Sequence, residues 1–314
     1  MAGTLHGKTA LVTGLSGFTG RYMKAALTAQ GCRVIGLSHA PASGEDVVSC
    51  DLMDADGLRA AVARIAPDVV MHMAAMTFVA HKDSEAFYRV NVLGTMNLLA
   101  ALGAAATPPA KVLLASSANV YGTPNVEVID ESVCPAPISH YACSKLAMEH
   151  MARTWFDRLP IILVRPFNYT GPGQNTQFLV PKIVDHFRRG ARAIELGNLD
   201  VSRDFSDVRD VVNAYVGLLE SDSHSVTVNI CSGTDISLRS ILAMMAEIAG
   251  YEIEVQVNPA FVRANEIPRL RGSNALLQRL VSYRPARSFK ETLVAMFGSD
   301  RPGATNMSDF QGPA

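Results

Sequence analysis

Residues 13–20 read TGLSGFTG, and this stretch decides the fold. It lies between a short apolar run that starts at Thr9 and a helical pattern that reaches about Gln30, and a second apolar run follows over residues 34–37. Strand, glycine turn, helix and strand in that order make one βαβ unit. Gly14 and Gly17 let the backbone turn tightly and approach a pyrophosphate, while Gly20 allows the helix to pack closely on the strand. The free N–H groups and positive dipole end of the helix point at the same place. Ser16, Phe18, Thr19 and Arg21, in or beside the turn, join the three glycines as candidate cofactor contacts.

Working outward, further strand-like runs at residues 69–73, 112–115 and 161–164 alternate with helical stretches such as 54–65 and 91–105. Such alternation predicts an α/β fold, a Rossmann-type doubly wound parallel sheet covered on both faces. After Arg165 the pattern becomes irregular, and Pro166, Gly171, Pro172 and Gly173 mark a loop where a smaller lobe begins. Residues 207–219 then read as a helix and 227–231 as a strand returning to the main sheet, so the two lobes interleave in sequence. The expected division assigns 1–167 and 203–233 to the NAD(P)-binding domain and 168–202 and 234–297 to the substrate lobe. Residues 298–314, rich in Gly, Pro, Ser and Asp, offer nothing to bury and read as a tail.

Composition narrows the ligand class. Of the 314 residues 48% are hydrophobic and 18% charged, enough apolar material for a sizeable core. A formal net charge of -1 gives no footprint for nucleic acid or an anionic membrane, so an anionic ligand must be held in a pocket by a few local groups. The five cysteines are scattered without a Cys-x-x-Cys pair, which suits reduced thiols in the cytoplasm better than disulfides or a metal site. No apolar run approaches the roughly 20 residues that span a bilayer. Cytoplasmic residence, with no membrane partner, is the expectation.

An NAD site usually places Asp or Glu after the second strand to accept from the ribose hydroxyls. Here that strand ends Gly36, Leu37, Ser38, His39, without a carboxylate. Ser38, His39 and Arg21 could donate to a 2′-phosphate, so NADP(H) is favoured and NAD(H) stays open. Asp51 and Leu52 follow the next short strand; they read as adenine contacts or, for Asp51, equally as a strand-end turn.

The chemistry lies further on. Tyr141 and Lys145, four apart, share one helix face. An ammonium beside a phenol favours the phenolate, which predicts a tyrosine pKa brought down towards neutrality. A surface helix contact has the same spacing. Ser117 follows the apolar run 112–115 and so sits at the C-terminal end of a parallel strand, where such sheets bind ligands. It could donate to a ketone oxygen while Tyr141 delivers the proton.

Taken together, TGLSGFTG, HMAA at 72–75, NVLGT at 91–95, SSANVYG at 116–122 and YACSK at 141–145 resemble the extended short-chain dehydrogenase/reductase family over almost the whole chain. The resemblance implies that Ser117, Tyr141 and Lys145 are catalytic, that Tyr141 and Lys145 also contact the cofactor, and that Met73, Ala74, Ala75 and Pro166 line its site. It places Asn91 in the catalytic surroundings and implies a homodimer through the helices beginning near Asn91 and Tyr141. His72 reads as a core histidine at a strand end, since no acidic partner is evident. Dehydratases of the family carry a carboxylate close behind the catalytic hydroxyl, whereas this chain has Ala118 and Asn119. Elimination of water is therefore disfavoured, leaving 4-keto reduction or 4-epimerisation.

Three longer stretches, RPFNYTGPGQ at 165–174, GNLDVSRDFSDVRDVVNAY at 197–215 and VNICSG at 228–233, resemble the family's GDP-sugar reductases. The first departs from the pattern at Tyr169, where histidine is usual. This resemblance implies a GDP-linked 4-keto-6-deoxyhexose as substrate and a GDP-6-deoxyhexose such as GDP-D-rhamnose as product. Thr77, Phe78 and Ser117 would meet the sugar, Asn168 the diphosphate, and Arg203, Arg263 and Glu266 the nucleotide. An arginine fork suits phosphate and a carboxylate suits ribose hydroxyls, although each arginine alone reads as easily as a solvated surface charge. Two rivals remain, a 4-epimerase with tightly bound NAD and a non-catalytic NAD(P)-binding regulator. The intact Ser117, Tyr141 and Lys145 argue against the regulator.

Overall fold

The computed structural model describes residues 4–39, 44, 46–76, 83–261 and 268–299. The first half runs β1 (Thr9–Thr13), α1 (Phe18–Ala29), β2 (Arg33–Ser38), β3 (Val47–Ser49), α2 (Ala55–Ile65) and β4 (Val69–His72). It continues through α3 (Ser84–Tyr88), a π-helical turn at Arg89–Gly94, α4 (Thr95–Gly103), β5 (Lys111–Ala115), α5 (His140–Arg153) and β6 (Ile161–Pro166). Then follow β7 (Asn168–Thr170), α6 (Leu179–Arg188), β8 (Ala193–Leu196), β9 (Ser202–Asp207), α7 (Val208–Glu220) and β10 (Val226–Ile230). The last part holds β11 (Asp235–Ser237), α8 (Leu238–Ala249), β12 (Glu254–Val257), β13 (Arg269–Leu270), α9 (Ala275–Val281) and α10 (Phe289–Gly298).

Seven strands form the main sheet in the order β10-β6-β5-β4-β1-β2-β3. Every pairing in it is parallel, as predicted. Successive strand residues face opposite sides, and both sides are covered, which is why the strands read as continuous apolar runs. Val12, Met71, Leu113 and Ile162 pack under α1, α7 and α9 against Met23, Leu27, Val211 and Leu277. Their neighbours Leu11, Val70, Leu114 and Leu163 pack under α2, α4 and α5 against Leu58, Leu98, Leu102 and Met148. The chain departs from β1 to β2 on one side and returns to β4 on the other, so a crevice opens at the C-terminal ends of these strands.

The remaining strands build smaller sheets. β9 pairs with β11 and β13 near its start and with β7 at its end, while β8 pairs with β12. Their core, with Ile183, Phe187, Ile241, Met245 and Leu293, lies among α6, α8 and α10. The strand expected at 227–231 does join the main sheet, as β10 on β6. One element differs from expectation: the helix foreseen over 91–105 begins as the π-helical turn, and α4 starts only at Thr95. The expected tail lies, from residue 300 on, outside the described residues.

Candidate active site

The glycine turn opens into the crevice, and its geometry explains its composition. Gly14 has φ +76, and a Cβ there would stand 3.0 Å from Ala74 N. At Gly20 a Cβ would fall 2.2 Å from the Gly14 carbonyl oxygen, so no larger residue fits. α1 follows Gly17, which offers no side-chain cap, and has no acid in its first turn. By contrast, Asp54, Ser139 and Asp207 cap α2, α5 and α7. The first-turn N–H groups of α1, with Ser16, Phe18 and Thr19, are thus left to a ligand, and the donor set fits a dinucleotide pyrophosphate.

Behind the turn runs a buried chain of hydroxyls. Thr13 Oγ1 accepts from Met73 N at 3.1 Å and Ala74 N at 3.0 Å. Its own proton therefore goes to His72 Nδ1, 2.7 Å away. His72 Nε2 then donates to Thr95 Oγ1 at 2.8 Å, and Thr95 donates to the Asn91 carbonyl at 2.8 Å. Burial pushes the His72 pKa down to about 3, so the imidazole stays neutral and serves to fix the backbone of Met73 and Ala74. This is the core histidine foreseen from the sequence.

Ser38, half-buried, ends β2 beside the turn, and His39 after it is exposed. Arg21 donates through Nη2 to the Gly173 carbonyl at 2.9 Å. Asp51 Oδ1 accepts from Met53 N at 2.9 Å, which is the turn role the sequence left open for it. Leu52 sits against Gly94, whose Cβ would approach it to 3.0 Å.

The chemical end lies where β5 and α5 meet. Ser117 caps a 3-10 turn at Ala118–Tyr121, its Oγ accepting from Asn119 N at 3.2 Å. Ser139 caps α5 by accepting from Ala142 N at 3.2 Å, which sets the register that buries both Tyr141 and Lys145. Lys145 Nζ donates to the Ala115 carbonyl at 2.7 Å, at the end of the strand that leads to Ser117. Burial pushes the Tyr141 phenol up to about 12, with Ser117 pulling the other way. Burial also brings Lys145 down to about 8, against the attraction of Glu149. The expected fall of the tyrosine pKa is thus corrected. Desolvation is the largest cause, the Lys145 ammonium is engaged by the Ala115 carbonyl, and the buried phenol favours its protonated form.

Two residues support this end, Asn91, which the resemblance placed in the catalytic surroundings, and Glu149, which the sequence reading missed. Asn91, in the π-helical turn, donates to Ser144 Oγ at 3.0 Å and accepts from Met76 N at 2.9 Å. Ser144 in turn donates to the Tyr141 carbonyl at 2.7 Å, so Asn91 braces the first turn of α5. Glu149, fully buried, accepts from Ser116 Oγ at 2.6 Å and from Arg165 at 2.9 Å and 2.6 Å. Arg153 adds a contact at 3.2 Å, and the Arg165 guanidinium lies over the Tyr121 ring at 4.7 Å. The sequence signal for Glu149 was its spacing, four residues beyond Lys145 on the same helix face.

Towards the second lobe, Pro166 ends β6 and Asn168 opens β7, where it pairs with Phe205. β9 carries Arg203, which donates to the carbonyls of Ser202 at 2.9 Å and Pro268 at 3.2 Å. β7 and β9 therefore bring Asn168 and Arg203 into one small sheet. Thr77, Phe78, Arg263 and Glu266 lie outside the described residues. Among the described residues no cluster of His, Cys, Asp or Glu could hold a metal ion, and no helix is long and apolar enough to cross a membrane.

A family profile described as GDP-mannose 4,6 dehydratase matches residues 11–296. The chain belongs to this family. Within it, the chain is 36% identical over 297 residues to the GDP-6-deoxy-D-mannose reductase of Pseudomonas aeruginosa, covering 91% of this chain and 94% of the relative. It is also 36% identical over 268 residues to the GDP-6-deoxy-D-talose 4-dehydrogenase of Aggregatibacter actinomycetemcomitans, covering 85% and 89%. The solved structure of the Pseudomonas reductase with NADPH superposes with a TM-score of 0.81 at 33% identity, over 93% of this chain and 97% of that one. A Burkholderia cenocepacia protein assigned as an epimerase superposes with 0.87 at 48% identity, over 95% and 98%. The extended short-chain dehydrogenase resemblance and the Rossmann-type fold read from the sequence are both borne out. For a family named after dehydratases, Ala118 and Asn119 are the telling departure.

Proposed function

We propose that this protein reduces the C4 ketone of a GDP-linked 4-keto-6-deoxyhexose. The observation that carries the reading is a buried, protonated Tyr141 beside Ser117 and Lys145, with no carboxylate at 118 or 119 to remove a carbon-bound proton. A bound nicotinamide supplies the hydride for C4; the chain supplies everything else. Ser117, whose oxygen accepts from Asn119 N and whose side chain bonds Tyr141, would turn its hydroxyl proton to the ketone oxygen. Tyr141 transfers the phenolic proton to that oxygen as it becomes an alkoxide. Lys145, anchored on the Ala115 carbonyl, stabilises the phenolate left behind until solvent restores its proton. Asn168 and Arg203 would hold the diphosphate and nucleotide.

The similar relatives named for GDP-6-deoxy-D-mannose and GDP-6-deoxy-D-talose differ in configuration at C4, the carbon that would receive the hydride. We favour the D-manno product, GDP-D-rhamnose, because the three longer motifs resemble its reductases. Proton NMR of the product tests this directly: large H3–H4 and H4–H5 couplings report an axial H4 and GDP-D-rhamnose, whereas small ones report the talose epimer and overturn the assignment. NADPH is the proposed donor, since Ser38 and His39 replace the carboxylate that an NAD site uses and a similar reductase is solved with NADPH. A kcat/KM that is higher with NADH would contradict it.

The acid's partner gives a pH signature. Lys145, at about 8, keeps its charge below that pH and loses it above. The kcat/KM for ketone reduction should therefore fall as pH rises through about 8, while Tyr141 stays protonated. A profile flat to pH 9.5, roughly one and a half units higher, would show that the ammonium is not needed. The five free cysteines support a reducing, cytoplasmic setting. Exposed Leu93 in the π-helical turn and Met96 at the start of α4 support a homodimer across α4 and α5, which sedimentation returning only monomer would exclude.

A further inference from the structure

Tyr169 departs from the histidine usual in its motif, and the structure gives it a specific partner. Its hydroxyl lies 2.8 Å from Thr19 Oγ1, in the first turn of α1. Its ring stacks on Phe18 at 6.3 Å and 13°. Two more bonds join the same surfaces: Arg21 Nη2 to the Gly173 carbonyl at 2.9 Å and the Tyr22 hydroxyl to the Pro172 carbonyl at 2.8 Å. Gly171 between them has no room for a side chain, because a Cβ would stand 2.6 Å from Val208 Cγ1. The helix that receives the pyrophosphate is thus clasped to the segment that leaves the main sheet for the second lobe.

Tyr169 is also a member of β7. It follows Asn168 and pairs with Ser206 of β9, the strand that carries Arg203. Gln174 folds back onto the same segment, donating to the Tyr169 carbonyl at 3.3 Å and accepting from Thr170 at 2.7 Å, which stiffens it. A continuous set of bonded groups therefore runs from the phosphate end of α1, through two hydroxyls, to the backbone bearing both candidate GDP contacts.

We propose that Tyr169 is a positioning residue whose hydroxyl, paired with Thr19, couples the cofactor site to the nucleotide-sugar site, so that each ligand tightens the other. The inference rests on the functional reading above. Order imposed on the glycine turn by a dinucleotide is transmitted to Asn168 and Arg203, and the reverse holds by the same amount, because coupling between two binding equilibria is reciprocal. One neutral hydrogen bond is the link, so its removal should change the coupling by a factor of about three to ten.

Calorimetry with NADPH and GDP-D-mannose, a pair that cannot react because the sugar has no ketone, measures the effect. In the wild-type protein each ligand should lower the Kd of the other by about tenfold. Tyr169→Phe keeps the ring on Phe18 and Thr19→Val keeps the shape; each should cut that factor severalfold, and the double variant should cut it no further. A merely structural role would lower the melting temperature and leave the coupling factor intact. The proposal is overturned if the wild type binds the two ligands independently, or if both single variants keep the wild-type factor. A wild-type protein that binds NADPH but no GDP-sugar would strike the functional reading itself, and the coupling with it.

Discussion

Tyr141→Phe is expected to lower kcat for ketone reduction at least about a hundredfold while leaving NADPH affinity close to that of the wild type. The ring is buried and packs edge-on against Phe87 at 6.1 Å, so phenylalanine preserves the shape of the site and the start of α5. What is lost is the one proton positioned for the sugar oxygen. Ser117 can still donate a hydrogen bond to the ketone, but it cannot deliver a proton without leaving an alkoxide of its own, which sets a low floor rather than zero. Steady-state rates with a fluorescence titration of NADPH separate the two effects. Turnover near the wild-type value would remove Tyr141 as the acid.

Glu149→Leu should have the largest effect on stability. It leaves Arg165, 3% exposed, without its bidentate carboxylate and strips Ser116 of its acceptor. Breaking a buried ion pair from one side costs about 3–5 kcal/mol, which in a chain of this size corresponds to roughly 5–8 °C in melting temperature. Removing both charges in Glu149→Leu with Arg165→Met should recover much of the loss, since an apolar pair of similar volume avoids burying either charge. Thermal melts of the three proteins decide it. A single variant that melts within about 2 °C of the wild type would show that Arg165 finds another way to be solvated.

The sequence carries the main sheet plainly because both of its faces are buried. Each strand is then an unbroken apolar run, and the glycine turn after β1 punctuates it where a Cβ has no space. Ser117, Tyr141 and Lys145 are legible for a related reason: two sit four apart on one helix and the third ends a strand. What the sequence could not convey is environment. The pairing of Tyr141 with Lys145 suggested a lowered pKa, yet desolvation depends on everything packed around α5, and it carries the phenol the other way. Glu149 and Arg165 lie 16 positions apart on different elements, so their pairing emerges only when α5 docks on β6. The π-helical turn shares the apolar periodicity of the α-helix that follows it and is set by the contacts of Asn91 with Met76 and Ser144. β7 is three residues long, too short for any alternating pattern, and its pairing with β9 is what brings Asn168 and Arg203 together.

The central claim is net reduction of a 4-keto sugar, and one measurement meets it most directly. Purified protein is mixed with GDP-4-keto-6-deoxy-D-mannose and NADPH, and the absorbance of the reduced cofactor is followed to completion. The account predicts one mole of cofactor oxidised per mole of sugar, with a GDP-6-deoxyhexose as product. No oxidation of the cofactor, with the 4-keto sugar left unreduced, would contradict it.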